Sequence, residues 1–137
     1  MNLGKDPKVR AIASVPLFAR CSKRDLERIA HLADEIDLPE GKVLTREGAL
    51  GHEFFVLIEG RAEVRRDGRP IATLRDGDFL GEIALVTNVA RTATVTTTSS
   101  VRALVITARA FRELLRTNPE IQGKVLEAVA ARLAAAL

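Results

Sequence analysis

The chain has 137 residues, of which 47% are hydrophobic and 28% charged, and its 21 basic and 18 acidic residues leave a formal net charge of +3. This length and composition fit one soluble globular domain with its own core. The chain is too short for two domains that each have a core of ordinary size. The mild positive charge suits a small anionic ligand, but by itself it indicates neither nucleic acid nor a membrane surface.

One cysteine, Cys21, and two distant histidines, His31 and His52, limit the chemistry of the chain. A single thiol excludes an intramolecular disulfide and a multi-cysteine metal site, and the histidines lack metal-ligand spacing. No nucleophile–base pair or pair of acids has a working spacing, so we expect neither catalytic residues nor a metal. Residues 1–10 lack a signal-peptide core, and no apolar run reaches the about 18 residues of a membrane span. We therefore expect a cytoplasmic protein without a membrane segment.

The N-terminal part of the chain predicts helices, over about residues 5–34. A short helix is expected from Pro7 to Ala13, followed by a turn at Val15 to Phe18 that docks against the domain. Ser22 is typical of a helix N-cap, and apolar residues at helical spacing carry a second helix from Lys23 towards Ala33.

From residue 35 the pattern changes to short strands separated by glycine turns. The continuous run Phe54 to Ile58 predicts a buried central strand. Asp67-Gly68 is the dipeptide that a tight type I′ hairpin favours. Turns roughly every 8–12 residues indicate an antiparallel β-barrel or double-stranded β-helix jelly roll over about residues 35–107.

Helical spacing returns after this β region, over about residues 108–137. Thr107 is predicted to cap one helix, and Asn118-Pro119-Glu120 begins the last one with an N-cap, a proline and an acid. The last helix carries an apolar stripe. We therefore expect a single domain over residues 1–137, mainly β, with helices at both ends.

The stretch 77–95 has the composition of an anion site. Gly81 opens a segment typical of a single helical turn, and Arg91 lies nine positions beyond Glu82. A glycine before a helical turn lets backbone N–H groups face an anion, and the arginine supplies the opposite charge. The stretch therefore predicts a phosphate site.

This stretch resembles the phosphate-binding cassette of the cyclic nucleotide-binding domain family, of the catabolite-activator and protein-kinase regulatory-subunit type. The family's pattern is Phe/Leu-Gly-Glu-aliphatic-Ala-Leu followed by Arg-x-Ala. It is matched within residues 79–93 by Leu80-Gly81-Glu82-Ile83-Ala84-Leu85 and Arg91-Thr92-Ala93. The resemblance runs from about Val15 to the end of the chain, and its framework glycines fall in family order: Gly41, Gly48, Gly60 and Gly77.

The resemblance implies a role for each residue of the cassette. Arg91 would pair with the equatorial oxygen of the cyclic phosphate, and Glu82 would accept a hydrogen bond from the ribose 2′-hydroxyl. Thr92 could contact the 2-amino group of a syn guanine, so cGMP stays open, although we expect cAMP. Many members carry proline where this chain has Ala90, which loosens the loop slightly. Backbone N–H groups would complete the cradle around Gly81, Ile83 and Ala84, and the last helix would supply a lid over the base from Val125, Leu126 and Val129.

A non-catalytic regulatory module is the implied function. It would bind cAMP or cGMP, need no cofactor, and couple occupancy to movement of the C-terminal helix, which could also pair with a second copy. The alternative is a fragment of a larger transcription regulator, channel, transporter or enzyme. Catabolite activators append a helix-turn-helix domain, and this chain ends at Leu137 without one, so we expect no direct DNA binding from it. Gly81, Glu82 and Arg91 argue against a degenerate, ligand-free domain.

Each of these residues also has a structural alternative. Arg91 could form a surface salt bridge, Glu82 could be an acid favoured at a helix N-terminus, and Gly81 could be a turn residue. Thr92 suits a strand whatever the ligand. The apolar stripe of the last helix could be core or dimer packing.

Overall fold

Two α-helices and a 3-10 helix form the N-terminal part of the computed structural model, which describes residues 4–81 and 90–135. Helix α1 (Pro7–Ala13) is capped by Asp6, and the 3-10 helix (Pro16–Phe18) follows it. Helix α2 (Lys23–Leu32) begins at Ser22, whose hydroxyl accepts a hydrogen bond from the Asp25 N–H at 3.1 Å. The predicted helices and the predicted N-cap are confirmed.

The strands of the described residues form two four-stranded antiparallel sheets. Sheet A has the order β1-β8-β3-β6, and sheet B has the order β2-β7-β4-β5. The sheets share an apolar interior, so the fold is a jelly roll with flanking helices, as predicted. The strands are β1 (Asp34–Leu38), β2 (Val43–Thr45), β3 (Glu53–Glu59), β4 (Ala62–Arg66), β5 (Arg69–Leu74), β6 (Phe79–Leu80), β7 (Thr94–Thr97) and β8 (Val101–Thr107).

Strand β3 lies inside sheet A and is covered on both faces. Phe54 and Val56 belong to the helical core, whereas Phe55 and Leu57 belong to the core between the sheets. Side chains alternate along a strand, so a strand that contacts two cores needs a continuous apolar run. This explains the predicted buried central strand.

The hairpin between β4 and β5 has the predicted turn. Asp67 and Gly68 both have positive φ, at 53° and 76°, as a type I′ turn requires. The Asp67 N–H also donates to Glu47 Oε1 at 3.0 Å, which ties the hairpin to the loop between β2 and β3.

Two further helices follow β8 and pack against the N-terminal helices. Helix α3 (Ala108–Thr117) is capped by Thr107, and helix α4 (Pro119–Ala135) begins after Asn118, whose Oδ1 accepts from the Ile121 N–H at 3.2 Å. Both predicted caps are confirmed. Among the described helices, none is both long enough and apolar enough to cross a bilayer.

Candidate functional site

The backbone of Arg91 is fixed by two hydrogen bonds, in addition to the contacts of its side chain. Its N–H donates to the Ala49 carbonyl and its carbonyl accepts from the Gly48 N–H, both at 2.8 Å. These two bonds join the start of the segment leading into β7 to the loop between β2 and β3. The residue is only 7% exposed. A salt bridge on the surface therefore does not describe its environment.

Two backbone carbonyls orient the Arg91 guanidinium. Nη1 donates to the Gly81 carbonyl at 3.1 Å, and Nη2 donates to the Glu53 carbonyl at 2.6 Å. Hydrogen bonds from an ionised donor are stronger than neutral ones, so they fix the plane of the group firmly. Both acceptors are neutral backbone carbonyls, one from β3 and one from the residue after β6.

Gly81 has to be a glycine for two reasons. Its φ of +96° lies in the region that other residues rarely adopt, and an added β-carbon would lie 2.6 Å from Arg91 Nη1 and 2.8 Å from the Glu53 carbonyl oxygen. A side chain here would push the guanidinium away from its acceptors. The fold thus brings together two of the predicted site residues.

Gly51 is a site residue that sequence reasoning missed. An added β-carbon would overlap Nε and Cζ of Arg91, so the flat guanidinium lies directly against the Gly51 backbone. The requirement is one of space, because Gly51 lies outside the positive-φ positions. In the sequence, Gly51 is marked only as a second glycine soon after Gly48 in a short loop. This pattern does not indicate a contact with an arginine 40 positions away.

The segment after Arg91 is held from both sides. The Thr92 carbonyl accepts from Arg66 Nε of β4 at 3.0 Å, and the Ala93 carbonyl accepts from the Thr45 hydroxyl of β2 at 3.1 Å. Thr92 itself is half-buried. Its predicted contact to a base is untested by these bonds and stays a prediction.

The remaining predicted contacts have different outcomes. Glu82, Ile83 and Ala84 lie outside the described residues. On helix α4, Val125 and Val129 are 2% and 8% exposed and belong to the helical core, whereas Leu126 is 67% exposed. The three residues predicted as a lid therefore face two environments, and the lid itself stays a prediction.

Cys21 is a packing residue of the helical core. It is only 4% exposed. Burial raises the pKa of the Cys21 thiol, and the negative charge of Asp25 raises it further. The thiol is therefore protonated at neutral pH and a poor nucleophile. Over residues 4–81 and 90–135, no group of histidine, cysteine and carboxylate side chains is placed to bind a metal ion.

The sequence matches known proteins over most of its length. A family model, the cyclic nucleotide-binding domain, matches residues 35–118, which include both sheets except Asp34, the first residue of β1. The chain is 34% identical over 110 residues to a cyclic nucleotide-gated potassium channel of Rhizobium etli, covering 80% of this chain and 31% of the channel. It is 34% identical over 113 residues to a cAMP-dependent protein kinase regulatory subunit of Mycosarcoma maydis, covering 76% of this chain and 22% of the subunit. The chain thus spans less than a third of either relative.

Solved structures share the fold. The structure of Sp-2Cl-cAMPS bound to PKAR CBD2 has a TM-score of 0.71 at 25% identity, covering 90% of this chain and 92% of that one. The Thermus thermophilus catabolite activator protein has a TM-score of 0.77 at 23% identity, covering 88% of this chain and 59% of that one. The family match is to a binding domain, in agreement with the predicted non-catalytic module. With more than half of its residues matched by the family model, the chain belongs to the cyclic nucleotide-binding domain family.

Proposed function

We propose that this chain is a regulatory sensor module that binds a cyclic nucleotide, cAMP in preference to cGMP, and couples occupancy to movement of helix α4. The observation that carries the proposal is the buried Arg91 guanidinium, oriented by the carbonyls of Gly81 and Glu53 and lying against Gly51. A guanidinium fixed in this way is prepared for an anion before the anion arrives.

The chemistry of the arginine fits a phosphate. The guanidinium is planar, permanently charged and able to donate to two oxygens at once, which suits a phosphodiester. Because the backbone contacts already hold Arg91, a ligand loses little affinity to ordering its side chain. In this proposal the backbone N–H groups of Gly81, Ile83 and Ala84 complete the phosphate cradle. Glu82 accepts from the ribose 2′-hydroxyl.

The preference for cAMP draws on similar proteins. One relative is the regulatory subunit of a cAMP-dependent protein kinase, and one similar structure is that of Sp-2Cl-cAMPS bound to PKAR CBD2. Thr92 is half-buried beside Arg91, where a hydroxyl can also serve the 2-amino group of a guanine. We therefore take cAMP as the primary ligand and cGMP as a weaker one.

A row of aromatic rings supports coupling to the C-terminal helices. Phe79 stands two residues before Gly81, and its ring centroid lies 5.6 Å from that of Phe54. Phe54 in turn stacks on Phe111 of α3 at 4.0 Å. Since packed cores move as discrete units, a shift of the chain at Phe79 would displace α3 and the α4 helix that follows it.

Helix α4 offers residues for both proposed roles, the lid and the dimer contact. Leu126 is 67% exposed and needs no unpacking to reach a base, whereas Val125 and Val129 would have to leave the helical core. We also propose that α4 pairs with a second copy of the chain. The setting we propose for the module is the cytoplasm. The module could serve as part of a larger regulator, channel, transporter or enzyme.

Calorimetric titration with cAMP and cGMP tests the proposal directly, with 5′-AMP as the acyclic control. We expect saturable binding of cAMP, weaker binding of cGMP and no measurable binding of 5′-AMP. A displacement assay with a fluorescent cyclic nucleotide covers the case of a small binding enthalpy. Failure of both cyclic nucleotides to bind in both assays would refute the proposed function. Sedimentation measurements of the mass in solution, with and without bound nucleotide, test whether the chain pairs with a second copy.

A further inference from the structure

Arg66 is the last residue of β4 and lies on the inner face of sheet B. Residues directly opposite each other in an antiparallel pair share a face. Ala62 and Val64 of β4 lie opposite Thr97 and Val95 of β7, and both β7 partners are buried. The pairing of β4 with β7 is regular from Ala62 to Arg65, and the irregularity in the β4–β5 pairing puts its extra residue, Ile71, on β5 and leaves the alternation along β4 intact. Arg66, two residues beyond Val64, therefore continues the inner face.

The side chain of Arg66 is anchored at one nitrogen. Its Nε donates to the Thr92 carbonyl at 3.0 Å, which brings the guanidinium next to the residue that follows Arg91. Among residues 4–81 and 90–135, no hydrogen bond or ion pair engages its two terminal amino groups. Its neighbour Arg65 differs, because it lies on the outer face and bonds to Glu63 and to the Gly68 carbonyl.

We propose that Arg66 is a specificity residue of the nucleotide site, whose amino groups donate to hydrogen-bond acceptors on the base. This inference rests on the proposed function. A half-buried guanidinium held at Nε presents its amino groups in a fixed plane, beside the Thr92 that we expect at the base. The positive charge of Arg66, whose Nε bonds the carbonyl of the residue after Arg91, also favours an anionic ligand.

The donor pattern of Arg66 determines which base it favours. Two parallel N–H donors match the O6 and N7 acceptors of guanine, whereas adenine offers the N7 acceptor next to the N6 amino donor. Arg66 therefore raises the affinity for cGMP more than the affinity for cAMP. Because of Arg66, a site that otherwise favours cAMP also binds cGMP with measurable affinity.

The test compares both nucleotides on the full chain and its variants. Arg66→Met keeps the aliphatic length and removes the donors, and Arg66→Lys keeps the charge without the forked donors. Arg65→Met is the matched control on the outer face. For Arg66→Met we expect the Kd of cGMP to rise at least about fivefold more than the Kd of cAMP. Arg66→Lys should show most of the same selective loss of cGMP affinity, and Arg65→Met should leave the ratio of the two Kd values unchanged.

Three outcomes would overturn the inference. An equal loss for both nucleotides would mean that Arg66 only positions Thr92, and no loss would mean that it has no part in binding. A wild-type chain that binds neither nucleotide would refute the proposed function as well. Thermal melts of each variant separate these outcomes from a loss of folded protein.

Discussion

The backbone of Gly51 lies so close to the guanidinium of Arg91 that no room is left for a β-carbon between them. The loop between β2 and β3 is therefore part of the site, although none of its side chains was predicted there. Ala49 and Gly48 of the same loop bond the Arg91 backbone. One short loop thus supports both the backbone and the side chain of the arginine.

Replacing Gly51 with alanine should weaken nucleotide binding more than it weakens the fold. The new methyl group would displace the end of a flexible side chain rather than backbone, so the protein should stay folded while Arg91 leaves its carbonyl acceptors. Each charge-assisted hydrogen bond lost to the ligand is worth about 1.5–3 kcal/mol. Calorimetry should show at least about a tenfold rise in Kd.

Gly123→Ala is the matched control for that substitution. Gly123 lies in α4 with nothing within 4 Å of an added β-carbon, so alanine should stabilise the helix by about 0.5–1 kcal/mol and leave binding unchanged. Equal effects of the two glycine substitutions on Kd would contradict the role assigned to Gly51.

Arg91 itself should be sensitive to shape as well as to charge. We expect Arg91→Ala to cost about 2–5 kcal/mol of binding free energy, mainly because the phosphate loses its charged partner. Arg91→Lys keeps the charge but lacks the fork that reaches two acceptors, so it should recover only part of the affinity. Titration of both variants checks the order. A lysine variant that binds as tightly as the wild type would show that charge alone matters.

Phe111 should contribute strongly to stability, because it is 1% exposed and stacks on Phe54. Truncation to alanine should cost about 3–5 kcal/mol in the free energy of unfolding. Phe111→Leu, which retains most of the apolar volume, should cost less. Urea unfolding followed by circular dichroism measures both. Similar values for the two variants would argue against a tightly packed ring at this position.

Cys21 should react with alkylating reagents only when the helical core opens. Its thiol is buried and its pKa is raised by that burial, so the native protein holds little accessible thiolate. Iodoacetamide at pH 8 should modify the urea-unfolded chain on the order of ten times faster or more. Rapid modification of the native protein, followed by mass spectrometry, would contradict this.

Because the pKa of Cys21 is raised in the folded state, its contribution to stability should fall as the pH rises. The folded state holds the Cys21 proton more tightly than the unfolded state, so this contribution is complete below the pKa of the unfolded thiol. It is lost as the pH rises above that value. Urea midpoints measured up to alkaline pH, with Cys21→Ser as the comparison, should show a steeper decline in the wild type.

Local chemistry made much of the fold predictable. The starts of three helices were predictable from their N-caps, Ser22, Thr107 and Asn118. The side chain of each accepts a hydrogen bond from a backbone N–H close by in sequence. Asp67-Gly68 predicts its turn for a similar reason, since both residues tolerate positive φ. These signals depend only on neighbouring residues, and the tertiary structure left them unchanged.

The site was predictable only where a family pattern covered it. Gly81 and Arg91 belong to such a pattern, whereas Gly51 and Arg66 contribute through contacts between loops and strands that are distant in sequence. A glycine in a loop and an arginine at a strand end have many ordinary explanations. Helical spacing also predicted an apolar stripe on the last helix, but it could not say whether this stripe, to which the buried Val125 belongs, meets the core or a ligand.

Strand β3 gives the two halves of the molecule a common boundary. One of its faces closes the helical core and the other closes the core between the sheets, and its first residue, Glu53, supplies a carbonyl to Arg91. Neither half can shift relative to the other without moving this strand. The candidate anion site is therefore attached to an element that both halves share, and the Glu53 carbonyl is one contact through which a change in either half would reach the arginine.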